Sequence, residues 1–149
     1  MVLEFIVKYQ YLTIPFISWV TAQALKFFFD LISTRQIDFR RLVGSGGMPS
    51  SHSALVVSLA TVIGISEGVE SAAFGLATAF ALVVMYDAAG VRRAAGKQAT
   101  ILNRMFHHGK GEFHLDEELK ELIGHTPVEV IAGALLGLAF GLFFMVVLS

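Results

Sequence analysis

Two histidines are set among residues that could move phosphate. His52 follows the run Gly44-Ser45-Gly46-Gly47-Met48-Pro49-Ser50-Ser51 and precedes a long apolar stretch. A glycine-rich approach to a helix start offers free backbone N–H groups and the positive end of the helix dipole, which suits a phosphate or similar anion. Ser50 and Ser51 add hydroxyl donors, and an imidazole there can give or take a proton near neutral pH. The same serines also serve as ordinary helix caps; capping does not account for a histidine at an apolar helix entrance. His125 lies in Gly124-His125-Thr126-Pro127-Val128-Glu129. At that spacing the Glu129 carboxylate can orient the imidazole and stabilise its cation. Thr126 to Glu129 also spells a capping box with proline at the first helical position, which would occupy Glu129 locally.

Cations accompany both histidines. Lys26 stands alone in an apolar stretch, and Asp87-Ala88-Ala89-Gly90-Val91-Arg92-Arg93 with Lys97 ends another. On a helix Gly90, Arg93 and Lys97 share a face, where the small residue leaves room for an anion between two cations. The plainer reading is a positive flank that fixes topology, with Asp87 as internal partner of Arg92 or Arg93. Arg35, Arg40 and Arg41 fit that plainer reading too. His107, His108 and His114 fall in a glycine-rich polar stretch and read as a solvated loop rather than a metal site. With no cysteine in the chain, a thiolate zinc site, a disulfide framework and a cysteine nucleophile are excluded. His125 and Glu129 have no further ligands at convincing spacing, so no metal and no cofactor are expected.

The elements that must position these groups are membrane helices. The chain has 149 residues, of which 55% are hydrophobic and 15% charged, against about 25% charged in a soluble domain. A formal net charge of −1 gives no reason to expect a nucleic-acid partner. Apolar runs predict spans at 12–31, 53–65 (long enough only if residues 49–52 form its first turn), 69–86 with a helical continuation through 88–98, and 127–148. Ala22 and Ala24 make a weak signal-peptidase site, but Glu4 and Lys8 are not a basic leader, so the first span reads as an uncleaved helix. Residues 104–125 are the least membrane-like part, with a mobile connection at 107–111 and a short amphipathic helix at 115–123. The expected fold is all-α: one domain over 1–149, a polytopic membrane bundle of about four transmembrane helices plus that short helix.

Four spans bring Lys26, Ser50, Ser51, His52, Arg92, Arg93, His125 and Glu129 to one membrane face. The loops on that side also carry Arg35, Arg40, Arg41, Lys97, Arg104, Lys110 and Lys120, while the opposite side has only Lys8. The asymmetry predicts that the loops face the cytoplasm. Gly133, Gly137 and Gly141 form a double GxxxG ridge, open to packing within the chain or across a homodimer.

The set of motifs resembles the type 2 phosphatidic acid phosphatase superfamily, which includes the vanadium-dependent haloperoxidases. More closely, it is similar to the short divergent branch labelled acid phosphatase/vanadium-dependent haloperoxidase-related. The matching runs are Gly47 to Ser53, Asp87 to Arg93, Gly96-Lys97-Gln98-Ala99 with Leu102-Asn103, and Gly124 to Glu129. Pro49-Ser50-Ser51-His52 stands where the superfamily has Pro-Ser-Gly-His, and His125 with Glu129 where it has His-x-x-x-Asp. The arginine usually found six residues before the last histidine is replaced by Leu119, and Lys26 precedes Arg35 by a longer gap than usual. The resemblance implies a metal-independent hydrolase of a lipid phosphate or diphosphate, of the polyprenyl diphosphate or phosphatidylglycerol phosphate type. His125 would be the nucleophile, forming a phosphohistidine, Glu129 would hold its ring, and His52 would be the acid and base. Lys26, Ser50, Ser51, Arg92, Arg93 and Lys97, with Asp87 beside them, would bind the phosphoryl oxygens. The alternative is a membrane scaffold or anionic-lipid-binding module that keeps the pocket without turnover. A haloperoxidase is disfavoured because those relatives are soluble.

Overall fold

In a bilayer, helices gain little from burying large apolar side chains against one another, so small residues decide which helix reaches the centre. The computed structural model describes residues 2–35, 47–108, 119, 121 and 123–148. Arg40, Arg41, residues 44–46, residues 109–111, His114, Lys120 and most of the expected amphipathic helix at 115–123 lie outside them. The described residues form α1 (Val2–Lys8), α2 (Gln10–Thr34), α3 (Ser51–Glu67), α4 (Ala72–Ala89), α5 (Val91–His108) and α6 (Pro127–Leu148). Three stretches are long and apolar enough to cross a membrane: α2, residues 72–106 and α6. The fourth, α3, is apolar but has 17 residues, about 25 Å of helix. The protein is an all-α membrane bundle.

The short helix is the central one, packed against α2, α4 and α6. Its buried residues are small: Ser51, Ser53, Ala54, Val56, Ser58, Ala60 and Val62. Against them α2 sets Ser18, whose hydroxyl donates to the Ala54 carbonyl at 3.3 Å, and α6 sets its glycine ridge. A Cβ at Gly133 would collide with the Ser50 carbonyl, one at Gly137 with the Ala54 carbonyl, and one at Gly141 with the Thr61 side chain. The ridge is therefore filled by α3 of the same chain, one of the two packings its spacing allows. Large side chains such as Leu76, Leu82, Val83, Leu135 and Val146 point outward, toward what is hydrocarbon in a membrane.

Two expectations need correcting. The first turn of the short span does not begin at Pro49: Ser50 is the N-cap and the helix starts at Ser51, because the proline lies before the cap rather than inside the first turn. The helical continuation after residue 88 bends at Gly90, whose N–H donates to the Tyr86 carbonyl, and then runs on to His108. His107 and His108 thus belong to α5 by their backbone, not to a connecting loop. This helix has a strongly two-sided character: Val91, Ile101 and Met105 are exposed, whereas Ala99 and Asn103 are buried. Asn103 Nδ2 donates to the Leu119 carbonyl at 2.8 Å and to Glu121 Oε1 at 2.9 Å, and its Oδ1 accepts from the Leu119 N–H at 3.0 Å. The segment leading to His125 is held along α5 by that exchange.

Candidate functional site

Four backbone contacts place His125. Its N–H donates to the Ala88 carbonyl at the end of α4, and Ser50 N–H donates to the Glu129 carbonyl, each at 3.0 Å. Gly124 lies so close to the Arg93 backbone that a Cβ there would collide with it. Gly133 seats the first turns of α6 on Ser50. The imidazole is 2% exposed. Its Nδ1 donates to Glu129 Oε2 at 3.0 Å; a carboxylate can only accept, so the proton is on Nδ1 and the neutral ring carries its lone pair on Nε2. Nε2 is buried and has no hydrogen-bond partner. Buried polar atoms are nearly always paired, so such an orphan points to a ligand.

Glu129 does both jobs that its sequence context suggested. The same Oε2 accepts from His125 Nδ1 and from the Thr126 N–H at 3.1 Å, while Thr126 Oγ1 accepts from the Glu129 N–H at 3.3 Å. The capping box fixes the carboxylate, and the carboxylate fixes the imidazole. Lys26, 4% exposed, brings positive charge within reach of both Glu129 and His125. Its stem passes over Gly47, where a Cβ would sit 3.2 Å from Lys26 Cγ and where φ is +83°, a conformation that glycine adopts without strain. Burial pushes the His125 imidazole below its ordinary range; the Glu129 hydrogen bond and charge oppose that, as does the nearby Gly47 backbone, and Lys26 adds to it.

His125 and His52 line one cavity of about 20 Å³, with Val84, Asp87, Ala88, Arg92 and Ile123 as the other walls. That volume holds a water-sized group. His52 is exposed, and its charged neighbours are Arg92, His125, Lys26 and Asp87. Arg92 is half-exposed, and its Nε donates to Asp87 Oδ2, so this pair spans the bend at Gly90 on the rim of the cavity. His125, with its fixed tautomer, thus shares one small cavity with a second imidazole and a guanidinium, an arrangement able to exchange protons with a bound polar group.

The profile of the Divergent PAP2 family matches residues 7–140. The chain belongs to this family. It is 39% identical over 131 residues to the uncharacterized membrane protein YuiD of Bacillus subtilis (strain 168), an alignment covering 80% of this chain and 83% of the relative. No solved structure matches.

Of the positions expected in a divergent PAP2 site, His125, His52, Arg92 and Asp87 meet at the cavity, with Glu129 and Lys26 behind His125. The others do not line it. Ser50 is fully buried as the α3 cap, its Oγ accepting from Ser53 N–H at 3.4 Å and from Ser53 Oγ at 3.0 Å. Ser51 is buried, Arg93 presents its backbone to Gly124, and Lys97 is exposed on α5. The capping reading accounts for Ser50, and the pair Arg92 and Arg93 is resolved in favour of Arg92 at the cavity wall. Among the described residues no group of acids, histidines and cysteines could hold a metal ion. Sequence reasoning missed the clamp of Asn103, Glu121 and Thr100, whose hydroxyl donates to Glu121 Oε2 at 2.8 Å. The available signal was Gly96 and Asn103, seven residues apart on one helix face: a Cβ at Gly96 would collide with the Glu121 carbonyl.

Proposed function

We propose that this membrane protein is a phosphohydrolase of lipid phosphates or diphosphates that works through His125. The observation carrying this reading is the buried, unpartnered Nε2 of a histidine whose other nitrogen is pinned to a carboxylate. Membership of the Divergent PAP2 family supports it at the level of a phosphatase-related role. Nε2 attacks phosphorus and the bond to the leaving oxygen breaks, while protonated His52 gives that oxygen its proton. Water then attacks the phosphohistidine and passes a proton to His52, releasing phosphate and free His125. Arg92 leaves Asp87 to hold the transferring oxygens, and Lys26 offsets charge behind the ring. The lysine and arginine distribution supports an active face on the cytoplasmic side, and hence substrates dephosphorylated inside the cell, such as newly made polyprenyl diphosphate or phosphatidylglycerol phosphate. Phosphate release from a lipid-phosphate panel, with wild type beside His52→Ala and His125→Ala, tests this; equal release by all three overturns it.

A second reading, an anion-binding membrane module without turnover, is favoured by Leu119, which stands where the superfamily has an arginine. Acid-labile phosphate trapped on His125 with labelled substrate supports hydrolysis. Binding of vanadate with no such adduct supports the module.

A further inference from the structure

The seam between α3 and α4 does not close below the histidines. An apolar groove of about 410 Å³ opens there, floored by Leu138 of α6. Its lining is apolar except at Thr61, whose hydroxyl donates to the Val57 carbonyl at 2.8 Å, and Thr78, whose buried hydroxyl has no hydrogen-bond partner. The groove shares no lining residue with the histidine cavity but neighbours it on both helices. On α4, Val84 lines the cavity, and Ala81 and Met85 line the groove; on α3, His52 lines the cavity and Val57 the groove. At 1.5 Å per residue Val84 to Ala81 is about 5 Å and His52 to Val57 about 8 Å, with Met85 beside Val84, and the groove spans about 12 Å along α3 and about 17 Å along α4. At its far end the Phe74 ring packs on Gly64, where a Cβ would lie 2.8 Å from Cε2.

We propose that this groove holds one hydrocarbon chain of the same lipid whose phosphate enters the histidine cavity, and that Phe74 against Gly64 sets the chain length accepted. The proposal rests on the lipid-phosphate reading for the head group. Three observations carry it. The groove lies within the membrane-spanning part of the bundle, where hydrocarbon is the surrounding medium. On α4 its residues Ala81 and Met85 flank Val84, which lines the cavity of His125, whose Nε2 is buried without a hydrogen-bond partner. Its direction also suits a lipid: the cavity lies where α4 ends and α3 and α6 begin, so a head group at that face sends its chain inward. Its far end is lined by Ile65, Val69 and the Phe74 ring, which rests on Gly64, and a bulky ring there discriminates chains by length through sterics.

Two experiments on the full chain in lipid nanodiscs decide it. A lipid phosphate with a diazirine at mid-chain is expected to label residues 57–65 and 74–85, and the same tail without phosphate to label them at least about tenfold less. Equal labelling by both tails identifies an ordinary boundary lipid, and cross-links to a second copy identify a partner helix; either outcome overturns the proposal. In turnover assays, Ala81→Phe should lower the long-chain to short-chain ratio of kcat/KM about tenfold, and Phe74→Ala should move the preferred chain to greater length. An unchanged length preference in Phe74→Ala, which only removes bulk at the groove's end, overturns the length claim. Phosphate-dependent labelling of the groove without any turnover in wild type leaves the chain site standing and removes the hydrolase reading instead.

Discussion

Two helix starts meet at the candidate site, and they treat their histidines in opposite ways. At α3, Ser50 closes the cap with Ser53, and His52, inside the first turn, is left exposed. At α6, His125 precedes the cap, is buried, and shares the capping carboxylate. One imidazole has access to water and freedom to turn; the other has a fixed tautomer and a lone pair held toward an enclosed space. The contrast suits the roles proposed for them: a nucleophile gains from fixed aim, and a proton carrier from contact with solvent.

The largest effect should separate the two histidines. With an active lipid phosphate, His125→Ala should remove phosphohistidine formation and lower kcat roughly 10⁴-fold or more, whereas His52→Ala should cost roughly 10²–10⁴-fold. An activated aryl leaving group should restore much of the His52→Ala loss and none of the His125→Ala loss; equal rescue of both would erase the distinction. Next in size is Glu129→Gln, which keeps a side-chain oxygen for the cap but removes the carboxylate that fixes the tautomer. A loss of roughly 10²-fold or more in kcat with little change in melting temperature is expected. A variant that merely unfolds would make Glu129 a cap and nothing more.

The pH profile sharpens the same contrast. In the proposed mechanism His125 attacks as the neutral ring, and burial holds its pKa below the ordinary value. The acid limb of kcat/KM due to His125 should therefore lie below about pH 6.5. Glu129 raises that pKa through its hydrogen bond and charge, so Glu129→Gln should move the limb to still lower pH; a shift upward contradicts the pairing. The smallest effect is at α3: Ser50→Ala should cost about 1 kcal/mol of stability through the lost cap, read as a lower melting temperature. Its kcat should stay within a few-fold of wild type, since Ser50 does not line the cavity.

Most of the bundle was legible because membrane helices announce themselves: apolar runs at 12–31, 69–86 and 127–148 correspond to α2, α4 and α6. Boundaries were less so. Pro49 suggested an earlier start for α3, and the glycines after His108 suggested a loop from residue 107, because local composition does not reveal where backbone hydrogen bonds are completed. The pair His125 and Glu129 was visible at its four-residue spacing. Cap and catalytic support were read there as rivals; one carboxylate oxygen serving both is a matter of geometry that spacing leaves open.

The sequence by itself determined that this is a membrane protein, that its polar chemistry gathers at one face, and which two histidines could act. Those conclusions follow from hydrophobicity and helix length, which are properties of local segments. Only the tertiary structure decided that Arg92 rather than Arg93 faces the cavity, that Ser50 is a cap, that the glycine ridge is filled by α3, and that Asn103 clamps the approach to His125. Each of these depends on which backbones come into contact, and close approach is set jointly by residues distant in the chain, such as Gly124 with Arg93 and Gly133 with Ser50.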